Sequence, residues 1–222
     1  MQEATFYIIW GAYFISLYFV IFWLLVFIEK GYSNNVVLKK LKDFPKVSVI
    51  IPAYNEGEKI SHTIESALSL DYPSDKLEII AVNHGSSDNT LDVMNRYKEK
   101  VKIITVVRKE NERKGAAMNA ALEIATGEFV ACLDADSLIE CGALHKMLHY
   151  FEDEDIGAVL PRIVVENPET FIQKIQYCEY IIVFLYKKMM SSLNCLYTTP
   201  GPFSLYRKKV LDTIGYFDAG NL

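Results

Sequence analysis

The amino-terminal part of the chain differs from the remainder in its pattern of hydrophobic and polar positions. Residues 4–28 contain no charged side chain and are dense in aromatic and branched aliphatic residues. A helix of this length extends roughly 37 Å at about 1.5 Å per residue, enough to cross a hydrocarbon core of about 30 Å. The pattern therefore predicts a transmembrane helix within residues 1–30.

The flanks of this apolar segment predict its orientation. A cleaved signal peptide carries a basic amino-terminal region, a shorter apolar core and a small-residue cleavage site, and none of these is present. Glu3 is the only charged residue before the segment, whereas Lys30, Lys39, Lys40, Lys42 and Lys46 follow it. By the positive-inside rule, we expect an integral membrane protein with a single span in this chain and its globular part in the cytoplasm.

After a polar connector over residues 31–45, short apolar runs alternate with amphipathic segments. Strands are predicted at residues 47–52, 77–82, 102–107, 129–133, 156–164 and 203–206. Helices are predicted at about residues 59–70, 91–97, 113–125, 142–151, 171–196 and 207–214. This alternation predicts right-handed βαβ units, and hence one α/β domain with a mostly parallel sheet over residues 46–222. The helix over 171–196 is apolar enough to lie either inside the fold or on the membrane surface.

The fourth predicted strand runs directly into two carboxylates, Asp134 and Asp136, with the small Ala135 between them. Two such close carboxylates repel each other unless a cation lies beside them. Mn²⁺ or Mg²⁺ bridging to substrate phosphates is the usual partner of such a pair. The alternative is an ordinary strand-end turn, because Asp is common in turns.

Composition narrows the choice of function and compartment. A net charge of −5 argues against nucleic acid as a partner, because a nucleic-acid-binding domain presents a basic face. The four cysteines show no CxxC spacing, so reduced thiols are expected. His62, His145 and His149 have no carboxylate or thiol spacing around them and are interpreted as surface or helix residues.

Several short motifs follow one another in the globular part. They lie at residues 47–56 (VSVIIPAYNE), 85–90 (GSSDNT), 113–121 (RKGAAMNAA), 134–136 (DAD), 201–207 (GPFSLYR) and 214–218 (IGYFD). In this order they resemble the motifs of the family-2 inverting glycosyltransferases, which use a GT-A nucleotide-diphospho-sugar transferase domain. The segment at 201–207 is similar to one in the membrane polysaccharide synthases of the hyaluronan, chitin-oligosaccharide and cellulose synthase group.

The resemblance implies that a nucleoside-diphosphate sugar, expected to be a UDP-sugar, is the donor, and that the sugar passes with inversion to a polysaccharide or lipid-linked acceptor. Asp136 and Asp134 are then the metal-site residues, and Gly201 and Pro202 shape the acceptor side. Lys114 at a helix amino end offers a cation to the diphosphate. The implied nucleotide-sugar-binding residues are Pro52, Ala53, Tyr54, Glu56, Asn83, His84, Lys114, Gly115, Asp134, Ala135 and Asp136.

Two departures from the family pattern leave alternatives open. Asn83 and His84 stand where the family usually has two aspartates, one of which contacts the base. The acidic motif that supplies the general base is expected beyond Leu222, which suggests a piece of a longer synthase. A catalytically impaired nucleotide-sugar-binding or regulatory subunit is the alternative. A nucleotidyltransferase is less favoured, because no Gly-rich loop follows the first strand.

Overall fold

The computed structural model describes residues 2–31, 43–106, 114–199 and 201–218. Outside these ranges lie residues 32–42 of the predicted connector, Val107 at the end of the third predicted strand and Arg113 at the start of a predicted helix. Helices in the described part are α1 (Gln2–Val26), α2 (Lys59–Leu68), α3 (Thr90–Asn95), α4 (Lys114–Ile124), α5 (Ala143–Leu148), α6 (Phe171–Ser192) and α7 (Lys208–Ile214). Strands are β1 (Val47–Ala53), β2 (Leu77–Asn83), β3 (Lys102–Thr105), β4 (Phe129–Cys132), β5 (Ala158–Val159) and β6 (Ser204–Arg207).

The chain divides into two compact units, the first of which contains α1 and Arg162–Thr198. Helix α1 continues into a π-helix at Phe27–Gly31, and the segment Glu3–Glu29 is long and apolar enough to cross a membrane. Helix α6 contacts α1 through the rings of Trp23 and Tyr186, whose centroids are 5.3 Å apart. No residue of α6 is buried, so of the two alternatives predicted for this helix, a position inside the fold is wrong. The predicted amino-terminal helix is confirmed.

The second unit is built on a sheet whose six described strands lie in the order β3-β2-β1-β4-β6-β5. The first four strands in this order are mutually parallel, whereas β6 pairs antiparallel with both β4 and β5. The predicted α/β class with a mostly parallel sheet is confirmed. Strand β5 is much shorter than the predicted run at 156–164. It lies at the sheet edge and stops before Pro161, which has no backbone N–H to donate to a ladder.

Helices cover both faces of this sheet because β1, β2 and β4 are apolar on both sides, as parallel strands require. On one face α2, α3 and α5 contribute buried residues to a core that includes Val49, Ala81 and Ala131. On the other face α4 and α7 pack over Ile50 and Val82. Successive side chains along each strand therefore enter different cores.

The direction of chain progression reverses at β1, because β2 and β3 extend the sheet to one side and β4 joins on the other. Ligands of open α/β folds bind beside such a reversal, at the carboxyl ends of the strands. Pairing of β1 with β4 ends at Ile50, whose carbonyl accepts from Leu133 N–H at 2.9 Å. The backbone N–H and C=O groups of even-numbered residues in β1 point toward β4. Pro52 has no N–H, and it stands where β4 no longer supplies a hydrogen-bond partner. The two strands thus separate at the predicted site.

Candidate functional site

The ends of β1 and β2 are held in register at the carboxyl edge of the sheet. Ala53 lies opposite Asn83, and the backbone N–H of His84 donates to the Ala53 carbonyl at 2.9 Å. Pro52, Ala53 and Asn83 are buried. The predicted residues Pro52 and Ala53 therefore form the floor beneath the loops, and Tyr54, next along the chain, has a side chain that is 45% exposed.

The hydroxyl group of Thr90 helps to hold the loop after β1 in place. Thr90 Oγ1 accepts from the backbone N–H groups of Glu56 and Gly57, both at 2.9 Å, and donates to the Asp88 carboxylate. This hydroxyl contact lowers the pKa of Asp88. Gly57 has φ +54°, a conformation that glycine adopts without strain. The loop that carries Tyr54 and Glu56 is therefore held in place by hydrogen bonds to its neighbour.

The side chains of Asn83 and His84 differ in their hydrogen bonding. The Asn83 amide oxygen accepts from Ser86 N–H at 3.2 Å. His84 is only 5% exposed, yet neither Nδ1 nor Nε2 has a hydrogen-bond partner among the described residues. Buried polar atoms are paired in the large majority of cases, so this imidazole is an exception with a cost in stability.

Two distant segments meet at Asp134. Lys114, the first residue of α4, forms an ion pair with the Asp134 carboxylate. A Cβ placed on Gly201 would lie 2.9 Å from Asp134 Oδ2, closer than real contacts allow, so only glycine fits there without movement. The sequence predicted Gly201, beside Pro202, for the acceptor side. The structure brings Gly201 against Asp134, and Gly115 follows Lys114 in the same helix turn.

The second carboxylate of the pair is more open. Ala135 is buried, and its carbonyl accepts from Thr63 Oγ1 of α2 at 2.7 Å, which holds the turn on the core. Asp136 is exposed and accepts from Ser137 Oγ at 3.5 Å. Its carboxylate can therefore reach a cation from the solvent side. A polar residue on the otherwise apolar face of α2 was the only sequence signal for Thr63.

No group of three or more potential metal-ligating side chains occurs in the part of the chain that the structure describes. Mn²⁺ and Mg²⁺ beside phosphates do not require one, because one or two carboxylates and the phosphate oxygens complete the coordination. The oxygen donors of Asp136 and Asp134 therefore fit a hard divalent cation that arrives with a diphosphate.

The thiol of Cys132 lies at the end of β4, just before the carboxylate pair. Burial raises the pKa of Cys132 to about 12, and the nearby Asp134 charge adds to this against the opposing effect of Lys114. The thiol is therefore neutral and is not a nucleophile. The cysteines at 132, 141, 178 and 195 are all free.

Helix α4 is also joined to the segment after α7. The Asn119 side chain donates from Nδ2 to the Phe217 carbonyl at 2.8 Å and accepts from Phe217 N–H at 3.0 Å. The Phe217 ring also packs edge-on against Tyr206 of β6, with ring centroids 5.9 Å apart. The helix that presents Lys114 is thus tied to a segment far along the chain, a contact that the position of Asn119 in a motif did not reveal.

Known proteins with similar sequences identify the family. The family model described as Glycosyl transferase family 2 matches residues 48–215. The chain belongs to this family. The chain is 32% identical over 210 residues to the poly-beta-1,6-N-acetyl-D-glucosamine synthase of Staphylococcus epidermidis. The aligned residues make up 92% of this chain and 50% of that relative. Identity to the protein of the same name from Staphylococcus aureus is 33% over 174 residues, or 78% of the chain and 42% of the relative.

The family-2 chain spans about half the length of these curated relatives. Among solved structures, the mannosyltransferase PcManGT of Pyrobaculum calidifontis, in complex with GDP-Man and Mn²⁺, has a TM-score of 0.70 at 24% identity, covering 90% of this chain and 55% of that one. TarS of S. aureus with UDP-GlcNAc has a TM-score of 0.58 at 24% identity, covering 78% and 48%. These likenesses establish the predicted GT-A fold.

Proposed function

We propose that this chain is the donor-binding part of a membrane polysaccharide synthase that transfers N-acetylglucosamine from UDP-GlcNAc, with inversion, to a growing polysaccharide. The observation that carries the proposal is that Lys114 and Gly201 meet at Asp134, with the exposed Asp136 two residues further on, beside the reversal in strand order. The names of the Staphylococcus relatives support the sugar and the product.

The proposed roles follow the positions of the side chains. Tyr54, Glu56, Asn83 and His84, at the ends of β1 and β2, contact the base and ribose. Lys114 and Gly115 at the amino end of α4 receive the diphosphate, where the positive charge and free N–H groups of a helix start favour an anion. Lys114 pairs with Asp134 and, in this proposal, also with the diphosphate of the donor. Asp134 therefore orients the lysine before the donor arrives.

Asp136, aided by Asp134, holds Mn²⁺ or Mg²⁺, which neutralises the charge that develops on the leaving diphosphate. Gly201 and Pro202 line the side from which the acceptor approaches. The general base that takes the acceptor proton is assigned to no described residue, and the family resemblance locates it after the segment at 214–218. Helix α1 crosses the membrane, and we assign the sheet-containing unit to the cytoplasm.

The experiment is isothermal titration of the detergent-solubilised chain with UDP, with and without Mn²⁺. We expect binding that depends on Mn²⁺, and we expect Asp136→Ala to weaken it by about a hundredfold or more, as for loss of a metal ligand. Asp75→Ala, which removes an exposed carboxylate from a distant turn, is the matched control. Unchanged affinity in Asp136→Ala, with circular dichroism showing an intact fold, would contradict the proposal.

A further inference from the structure

His84 is a buried polar side chain without a partner at the edge where the donor is proposed to bind. Its backbone N–H is used by Ala53, and the amide oxygen of its neighbour Asn83 is used by Ser86, but both of its ring nitrogens are unpaired in the described residues. A buried donor and acceptor that the fold leaves unpaired point to a ligand that pairs with them.

The absence of a partner on either nitrogen has a second consequence. A neutral imidazole carries a proton on one nitrogen and a lone pair on the other, and a hydrogen bond to one nitrogen fixes the state of the other. No described residue fixes the His84 ring in this way. Both tautomers are therefore available, and the nitrogen that faces a ligand can either accept or donate.

This choice matters because pyrimidine bases differ at one ring position. Uracil carries a proton on N3 and donates there, whereas cytosine has a lone pair on N3 and accepts. A carboxylate that faces N3 could only accept there, so it would pair with the N3–H of uracil and oppose the N3 lone pair of cytosine. Imidazole can pair with either base by changing tautomer.

We propose that His84 makes the base subsite of this chain tolerant of both uracil and cytosine nucleotides, an inference that rests on the proposed nucleotide-sugar function. Two features place the base here. His84 follows β2 directly, one strand away from the exposed ring of Tyr54 after β1. Val82, two residues before His84, lies on the face of β2 that α4 covers, and Lys114 is the first residue of α4.

The test measures dissociation constants for UDP and CDP in Mn²⁺ with the detergent-solubilised full chain. We expect the two constants to agree within about fivefold for the unmodified chain, because one hydrogen bond is made in either case. His84→Asp should shift the ratio toward UDP by about tenfold or more, because cytosine then faces a second acceptor. His62→Asp, which makes the same chemical change on the exposed side of α2, should leave the ratio unchanged.

A nitrogen NMR measurement on isotope-labelled histidine gives a readout that needs no folded His84→Asp variant. The His84 ring should show opposite tautomers in the UDP and CDP complexes. The same tautomer in both, or a preference for UDP beyond about tenfold in the unmodified chain, would overturn the inference while leaving the proposed function intact. Failure of both nucleotides to bind would instead remove the proposed function.

Discussion

The two ends of β2 carry buried polar side chains in opposite states. Glu78 near the amino end is 8% exposed and is paired with Ser48, Lys102 and Thr126. His84 beyond the carboxyl end is 5% exposed, and its ring is unpaired among the described residues. The buried carboxylate at one edge of the sheet is thus paired within the protein. The buried ring nitrogens at the other edge have no hydrogen-bond partner among the described residues. The stabilising network and the proposed base subsite therefore lie at opposite ends of a single strand.

The Glu78 contacts are strong enough to reverse the usual effect of burial. Burial by itself raises the pKa of Glu78, but hydrogen bonds from Lys102, Ser48 and Thr126 outweigh it and lower the pKa to about 2. The Thr126 backbone N–H donates at 2.8 Å and its hydroxyl at 3.0 Å. Ser48 in turn accepts from Gly127 N–H at 2.9 Å. This network joins β2 and β3 to the start of β4.

Removing the charge of Glu78 should have the largest effect of the changes considered, and the effect should be on stability. Glu78→Gln removes the charge on which the network converges, and we expect a loss of about 3 kcal/mol in the free energy of unfolding at neutral pH. Urea unfolding in mild detergent measures it. Glu58→Gln, in an exposed pair with Arg96, is the matched control and should cost less than about 1 kcal/mol. Equal losses in the two variants would show that the buried Glu78 network stabilises the fold no more than the exposed Glu58–Arg96 pair does.

The same carboxylate gives a pH dependence of similar size. The pKa of Glu78 is lower in the folded state, about 2, than its usual value of 4.5, so its contribution is complete above the unfolded value. It is lost as pH falls from about 4.5 to about 2. Unfolding curves across this range should show the unmodified chain converging on Glu78→Gln. A constant gap between the two would contradict the assignment.

A smaller effect is expected from adding a methyl group at Gly201, beside Asp134. Gly201→Ala puts a Cβ against Asp134 Oδ2, which Lys114 also holds, so the carboxylate must shift. We expect Mn²⁺-dependent UDP binding to weaken by about tenfold, with little change in stability. Gly142→Ala is the control, since its Cβ would meet only Lys146 Cε, at 4.0 Å. Titration calorimetry on both variants decides, and equal affinities would count against a role for Gly201.

The smallest expected effect concerns the support of the carboxylate turn. Thr63→Val keeps the shape of the side chain but removes the hydrogen bond to the Ala135 carbonyl, which is then buried without that donor. We expect a loss of about 1 kcal/mol in unfolding free energy. Thr63→Ser should recover most of it in the same urea experiment. If Thr63→Ser did not recover this stability, packing and not the hydrogen bond would hold the turn.

The fold could be predicted largely because its causes are local. Apolar runs of strand length and the turns between them are visible in the sequence, and they predicted the parallel part of the sheet. The brevity of β5 was missed because it depends on an edge position, which is a property of the whole sheet.

The candidate site was predictable only in part. Motifs identified Lys114 and Asp134 separately, and the structure shows their ion pair. The approach of Gly201 to Asp134 joins segments 67 positions apart, which no local pattern encodes. The unpaired state of His84 likewise depends on what surrounds it in three dimensions. These features arise from tertiary contacts, so a sequence pattern indicates the residues and not their arrangement.

The bond between Asn119 and Phe217 has a consequence for the order of events during synthesis. The two residues are separated by 98 positions, so at about 5–20 residues per second the ribosome exposes the second about 5 to 20 seconds after the first. Glu78 and its partners have all emerged by residue 126. We therefore expect the nascent chain to form the contacts of Glu78 before the hydrogen bonds that join the helix bearing Lys114 to the segment after α7.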